Sequence, residues 1–196
     1  MSVAQTILAV LLVGGLVALV YLIMTYNGLV AVKNNVALAW ANIDVLLKQR
    51  HDELPKLVAV CQNYKEFEQA TLTRVTEARS RVAAARESQN IGALGPAEGA
   101  LRSGVAQIFA VAERYPDLKA NANFMQLQAR ITGLENAIAD RREYYNESVN
   151  VNNVRIEQFP DGIIARAFKF GEKRLLEFDA RETADIDVEA MFKPAA

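Results

Sequence analysis

Residues 7–24 contain only apolar side chains, Gly and Tyr, and no charged side chain occurs before Lys33. A run of this kind, with its flanks and at about 1.5 Å rise per residue, is long enough for a hydrocarbon core of roughly 30 Å. A helix without a polar face needs an apolar surrounding on all sides, so the run is read as a membrane anchor rather than a core helix. A secretory signal peptide would need a positive n-region and a small-residue cleavage site. The residues before the run bring only the amino terminus as positive charge, and Tyr21-Leu22-Ile23-Met24-Thr25-Tyr26 offers no such site. Ile7, Leu11, Gly14, Gly15, Ala18, Tyr21 and Met24 mark the predicted anchor. Gly14-Gly15 with Ala18 is a small-xxx-small step, where two backbones can approach closely, although Gly is also simply tolerated in membrane helices.

No Pro or turn cluster separates this run from the next segment. Val36, Trp40, Ile43 and Leu47 then recur at three- and four-residue steps, the seam of a packed helix. Pro55 removes a backbone donor, so a kink or short break belongs there; alternatively Asp52 caps a new helix with Pro55 in its first turn. The apolar rhythm predicts one long amphipathic helix over residues 56–87, with Lys65 and Glu66 on its outer face. Asn90, Gly92, Gly95 and Pro96 predict a loop over residues 88–96. A helix over residues 97–114 is expected next, ended by Tyr115-Pro116, since the residue before Pro avoids the helical region. After a short connection at residues 117–121, a long helix is expected over residues 122–157, stopped by Phe159-Pro160-Asp161-Gly162. Asn146, Asn150, Asn152 and Asn153 near its end either fix register in the core or face solvent. The tail mixes apolar residues with an acidic segment at residues 182–189 and ends near Met191-Phe192. The expected fold is therefore all-α: an N-terminal transmembrane helix continuous with a long-helix antiparallel bundle of about four helices, and a partly extended C-terminal tail. The expected divisions are an anchor at 1–26, a bundle at 27–160, and a tail at 161–196, docked or exchanged between subunits.

The formal charge of −1 shows no basic excess, which argues against nucleic acid as a partner. Cys61 is the only cysteine and His51 the only histidine, so neither an intrachain disulfide nor a His-rich zinc site is available. Cys61 on an apolar helical stripe reads as a core residue. A Cys61–His51 nucleophile–base pair has nothing in the sequence to bring it together. No P-loop or dinucleotide fingerprint occurs, and the glycines from Gly92 to Gly104 follow no strand. No catalytic residue, cofactor, metal ligand or small-molecule substrate is therefore predicted. Asp44, Lys48 and His51 fall on adjacent helical turns. They form either a polar spot that grips a partner or a solvated face with a weak i,i+4 pair. Trp40 lies roughly 24 Å of helix beyond Met24, too far for a membrane-interface anchor, and reads as core.

The sequence resembles the LemA family of bacterial membrane-anchored helical proteins. The matching residues are Tyr26-Asn27-x-Leu29-Val30 and Ala39-Trp40-x-x-Ile43-Asp44-Val45-Leu46-Leu47-Lys48-x-Arg50-x-Asp52-x-x-Pro55-x-Leu57-Val58. Further matches are Ala78-Arg79, Arg114-Tyr115-Pro116-x-Leu118-Lys119-Ala120, Phe124, Leu127-Gln128, Leu134-Glu135, Arg141-Arg142, Tyr145-Asn146 and Phe159-Pro160. Two places depart from the family pattern: Lys56 follows Pro55 where Asn is more usual, and Leu176-Glu177-Phe178 replaces a Tyr-Phe pair. The resemblance implies a single anchor, an antiparallel helical bundle and relatives in the magnetosome membrane, with no established reaction. Together with the polar spot read from helical spacing, this leaves Trp40, Asp44, Lys48, His51, Asp52, Pro55, Tyr115 and Pro116 as the candidate interaction or structural motif. The expected function is a non-enzymatic scaffold of the bacterial envelope that self-associates and organises or remodels membrane. The alternative is an adaptor or regulator presenting its bundle or acidic tail to another membrane protein, such as a protease. Expected partners are the lipid bilayer, further copies of the chain and such a membrane protein. The expected location is the bacterial cytoplasmic membrane, single-pass, with the large domain on the cytoplasmic side because Lys33 is the first flanking charge.

Overall fold

The computed structural model describes residues 2–64 and 67–177, and among these the chain is all helical. Its elements are α1 (Val3–Gln62), α2 (Gln69–Glu87), α3 (Ile91–Ala112), α4 (Pro116–Lys119), α5 (Ala122–Glu157) and α6 (Asp161–Ala167). A strap of seven residues without helix or strand, 171–177, follows α6. Lys65, Glu66, the acidic segment and Met191-Phe192 lie outside the described residues.

α1 passes through Pro55 without a break, so Asp52 caps no new helix. Proline leaves the carbonyl four residues back without its helical donor. That carbonyl belongs to His51, and Arg79 Nε donates to it at 3.0 Å. A tertiary contact thus replaces the missing bond. The break comes instead after Gln62, dividing the helix predicted over 56–87. Tyr64 and Phe67 form successive turns there, through Tyr64 N to Cys61 O and Phe67 N to Tyr64 O. Phe67 is buried beside the Tyr115 ring at 5.6 Å, and Tyr64 Oη donates to the Asp117 carbonyl. Packing of these two rings holds the turn where no Gly or Pro marks it.

The loop predicted over 88–96 shrinks to residues 88–90. Asn90 Oδ1 accepts from Ala93 N at 3.1 Å and caps α3. Pro96 then lies inside the helix. Gly95 serves a close approach rather than a turn: a Cβ there would collide with the Glu177 carbonyl oxygen. α3 ends at Ala112, and the connection before α5 contains the single turn of α4. α5 spans Ala122–Glu157, the predicted range.

The chain divides into two compact units, residues 1–49 with 133–175 and residues 50–132 with 176–196. In the first unit, Leu29, Val32, Val36, Ala39, Ile43 and Leu47 of α1 are buried along one seam. Leu29 clusters with Ile156 of α5 and with Ile164 and Ala165 of α6. Trp40 meets Tyr145 edge to face at 5.9 Å. The two pairings run in opposite order along the helices, so these parts of α1 and α5 are antiparallel. In the second unit, α2 and α3 form an antiparallel hairpin in which Arg74 hydrogen-bonds Gln107 and Val75 packs against Gly104. Leu72, Val75 and Val82 of α2 and Leu94, Leu101 and Ile108 of α3 are buried, as are Leu54, Leu57 and Cys61 of α1. Phe124 of α5 stands perpendicular to Phe109 at 6.3 Å.

The strap is held by side chains of α5. Asn153 Nδ2 donates to the Lys173 carbonyl at 2.8 Å, and Asn153 Oδ1 accepts from Lys173 N at 2.9 Å. The amide thereby imitates a neighbouring strand. Tyr145 Oη donates to the Arg174 carbonyl at 3.0 Å, and burial raises the pKa of that phenol. Asn152 is 1% exposed, so the asparagine cluster is structural at this point rather than solvated. Replacing Asn153 by Ala should accelerate hydrogen exchange at the Lys173 amide, because both bonds of the grip disappear. Exchange measured by mass spectrometry over residues 171–177, with unchanged protection in α2 as the control, checks this.

Candidate functional site

The predicted motif residues divide between the two units. Trp40, Asp44 and Lys48 lie in the first; His51, Asp52, Pro55, Tyr115 and Pro116 lie in the second. Trp40 is half-buried against Tyr145, Asp44 is half-buried and Lys48 is exposed. Pro116 opens α4 at its first position, and Tyr115 precedes it with its ring on Phe67. Asp52 and Pro55 are both exposed. In the apolar span, a Cβ on Gly14 or Gly15 would meet nothing within 4 Å.

The second unit gathers charge around the α1 segment that contains Pro55. Arg50 Nη2 donates to both carboxylate oxygens of Glu98, at 2.6 and 2.5 Å. The two side chains are 1% and 2% exposed. One turn on, Glu53 is also buried, and its Oε1 accepts from Arg130 Nη2 at 2.7 Å and from Lys56 Nζ at 3.2 Å. His51 Nε2 lies 2.6 Å from Arg79 Nη2. Arginine donates only, so His51 accepts through Nε2 and keeps its proton on Nδ1. Burial, then the Arg79 charge, lowers the His51 pKa below its ordinary 6.5. His51 is therefore a neutral acceptor at neutral pH.

Sequence reasoning missed the Arg50–Glu98 pair, although the signal was present. Ile43, Leu47, Arg50, Leu54, Leu57 and Cys61 continue one seam at three- and four-residue steps. Leu94, Glu98, Leu101, Val105 and Ile108 do the same in α3. Opposite charges at seam positions of two helices point to a buried pair.

Cys61 is fully buried, and burial pushes its thiol up to about 12, so the nucleophilic thiolate is suppressed. It lies roughly 15 Å along α1 from His51, whose ring is engaged by Arg79. Among the described residues, no group of three or more His, Cys, Asp or Glu side chains could hold a metal ion.

The LemA family model matches residues 39–190, most of the chain. The chain belongs to the LemA family. Among similar proteins are magnetosome proteins MamQ 1 and MamQ 2 of Paramagnetospirillum magneticum. Each is 23% identical over 190 residues, covering 85% of this chain and 69% of the relative. Magnetosome protein MamQ of Magnetospirillum gryphiswaldense is 21% identical over 207 residues, covering 94% of this chain and 75% of the relative. Protein LemA of Metamycoplasma hominis is 26% identical over 165 residues, covering 82% and 73%. The LemA-family match begins at Ala39, so it takes in the Trp40-to-Pro55 block, Arg50, Arg79 and Glu98.

Two measurements test this polar core. Replacing Glu98 by Ala removes both hydrogen bonds from a guanidinium that stays buried, and the loss of one partner of a buried pair is expected to destabilise the chain by up to about 3–5 kcal/mol. The double replacement Arg50→Met with Glu98→Leu should recover most of that loss. Thermal unfolding of the full chain in detergent, followed by circular dichroism, compares the three proteins. The second test concerns His51. Its folded pKa is depressed, so its contribution to stability is present above pH 6.5 and is lost as pH falls from there through the folded value. The midpoint should therefore drop on acidification below pH 6.5, and His51→Gln should flatten that part of the profile.

Proposed function

We propose that this LemA-family chain is a membrane-anchored, non-enzymatic scaffold that associates with copies of itself and shapes or organises the membrane. The observation that carries the reading is in α1. This helix contains a window long and apolar enough to cross a membrane, none of it buried within the chain. Leu11, Leu16 and Val17 are 67%, 61% and 63% exposed. Each such side chain in water forgoes about 1.5–3 kcal/mol of burial, which a bilayer supplies. In this reading residues 1–26 form the anchor, residues 27–160 the helical bundle, and residues 161–196 a tail, docked or exchanged between subunits. The first flanking charge, Lys33, favours the cytoplasmic side for the bundle.

Lateral association is the part of the reading that gives a scaffold its effect. It draws support from the relatives named magnetosome proteins and from the open faces of Gly14 and Gly15, where a second helix could approach. Extraction of the full chain in mild detergent, followed by light scattering and single-particle imaging, tests it. The expected particle has a mass several times that of one chain, with the anchors clustered. A monomer at all concentrations would overturn the scaffold in favour of an adaptor.

A further inference from the structure

The first unit holds a cavity of about 300 Å³ close to the end of the apolar span. Tyr26 and Lys33 of α1 line it, together with Phe168, Lys169, Phe170 and Lys173 from the segment after α6. Among the described residues, the charged side chains of the lining are three lysines, with no carboxylate. Tyr26 stands 4.9 Å from the Phe168 ring and 5.9 Å from the Phe170 ring, so aromatic side chains form one wall. Asp161, the acidic residue of α6, is tied to Arg155 at 3.0 Å. Glu172 lies outside the lining.

The position suits the membrane surface. Tyr26 follows Met24 by half a turn, and Lys33 lies about 10 Å further along the helix. The headgroup zone of one leaflet occupies about 5–8 Å beyond the hydrocarbon, and a lysine stem can reach back several ångströms more. A second observation points the same way. α6 docks Ile164 and Ala165 on Leu29, about 7 Å beyond Met24 along α1. Around that docked face, Phe159, Ile163 and Phe168 are 86%, 62% and 60% exposed. Large apolar side chains beside lysines, at the depth where an apolar span ends, match the chemistry of a bilayer interface. The Asn153 grip on the Lys173 backbone holds the far side of the cavity in place.

We propose that this cavity takes the phosphate of an anionic phospholipid headgroup, while Phe159, Ile163 and Phe168 sit in the bilayer interface. The inference rests on the anchored reading of α1 and adds a lipid preference to it.

The test uses the full chain reconstituted in phosphatidylcholine vesicles. These carry a trace of either spin-labelled phosphatidylglycerol or spin-labelled phosphatidylcholine. The motionally restricted fraction of each label is read by electron paramagnetic resonance. The expected result is a several-fold preference for phosphatidylglycerol, since one lysine near a membrane contributes up to about a fivefold factor for anionic lipid. The triple variant K33Q/K169Q/K173Q should lose the preference, and K33R/K169R/K173R should keep it. Excess inorganic phosphate should leave the wild-type preference unchanged. Equal restriction of both labels in the wild type would overturn the proposal, as would a preference that survives in the glutamine variant. Abolition by free phosphate would assign the cavity to a soluble anion instead. Flotation of the same vesicles separates the two levels. Protein that floats without lipid preference sinks the headgroup site alone, whereas protein that does not float sinks the anchored reading as well.

Discussion

The apolar side chains of α1 are arranged in two ways along its length. Before Thr25 the apolar residues surround the helix and are exposed on all faces. From Leu29 onward they narrow to a seam that the chain itself covers. The same backbone conformation serves both, because an α-helix satisfies its own polar groups in lipid and in water. What changes is the side-chain pattern, from apolar all round to apolar on one stripe.

Within the second unit, the seam is interrupted by charge. Arg50 and Glu98 each occupy a place that an aliphatic residue would fill at lower desolvation cost. They are sealed together, with 1% and 2% exposure, so neither can turn to solvent. A slip of α1 against α3 would part them. The pair thus favours one register, whereas aliphatic contacts tolerate several. Arg79 has a comparable place on α2. One guanidinium satisfies the carbonyl freed by Pro55 and orients the His51 ring. Pro55 is compatible with an unbroken helix because the contact that compensates it comes from another helix.

The first unit uses polar side chains differently. Tyr145, Asn152 and Asn153 lie on the face of α5 that receives the strap, and they bond to its backbone rather than to its side chains. Such a grip constrains where the strap lies more than what residues it carries. In the second unit, Gly95 admits the Glu177 backbone, where a Cβ would collide. Leu176 beside it is 1% exposed.

The sequence by itself determined the all-helical class, the apolar span and the extent of α5. These depend on periodicity and composition, which are local properties. It also carried the LemA-family residues of the Trp40-to-Pro55 block, confirmed as family membership by the match from Ala39 onward. Tertiary structure decided where helices stop and which polar residues are buried. Pro55 and Pro96 look like breakers in the sequence yet lie inside helices, and at Pro55 an arginine of another helix supplies the missing bond. The turn after Gln62 has no breaker and forms because Tyr64 and Phe67 find partners around Tyr115 and Asp117. The Arg50–Glu98 pair was legible as two charges on two seams, but only the packed helices bring them within hydrogen-bonding distance. Local pattern records what each residue prefers in isolation; a helix boundary or a buried charge depends on what another part of the chain places against it.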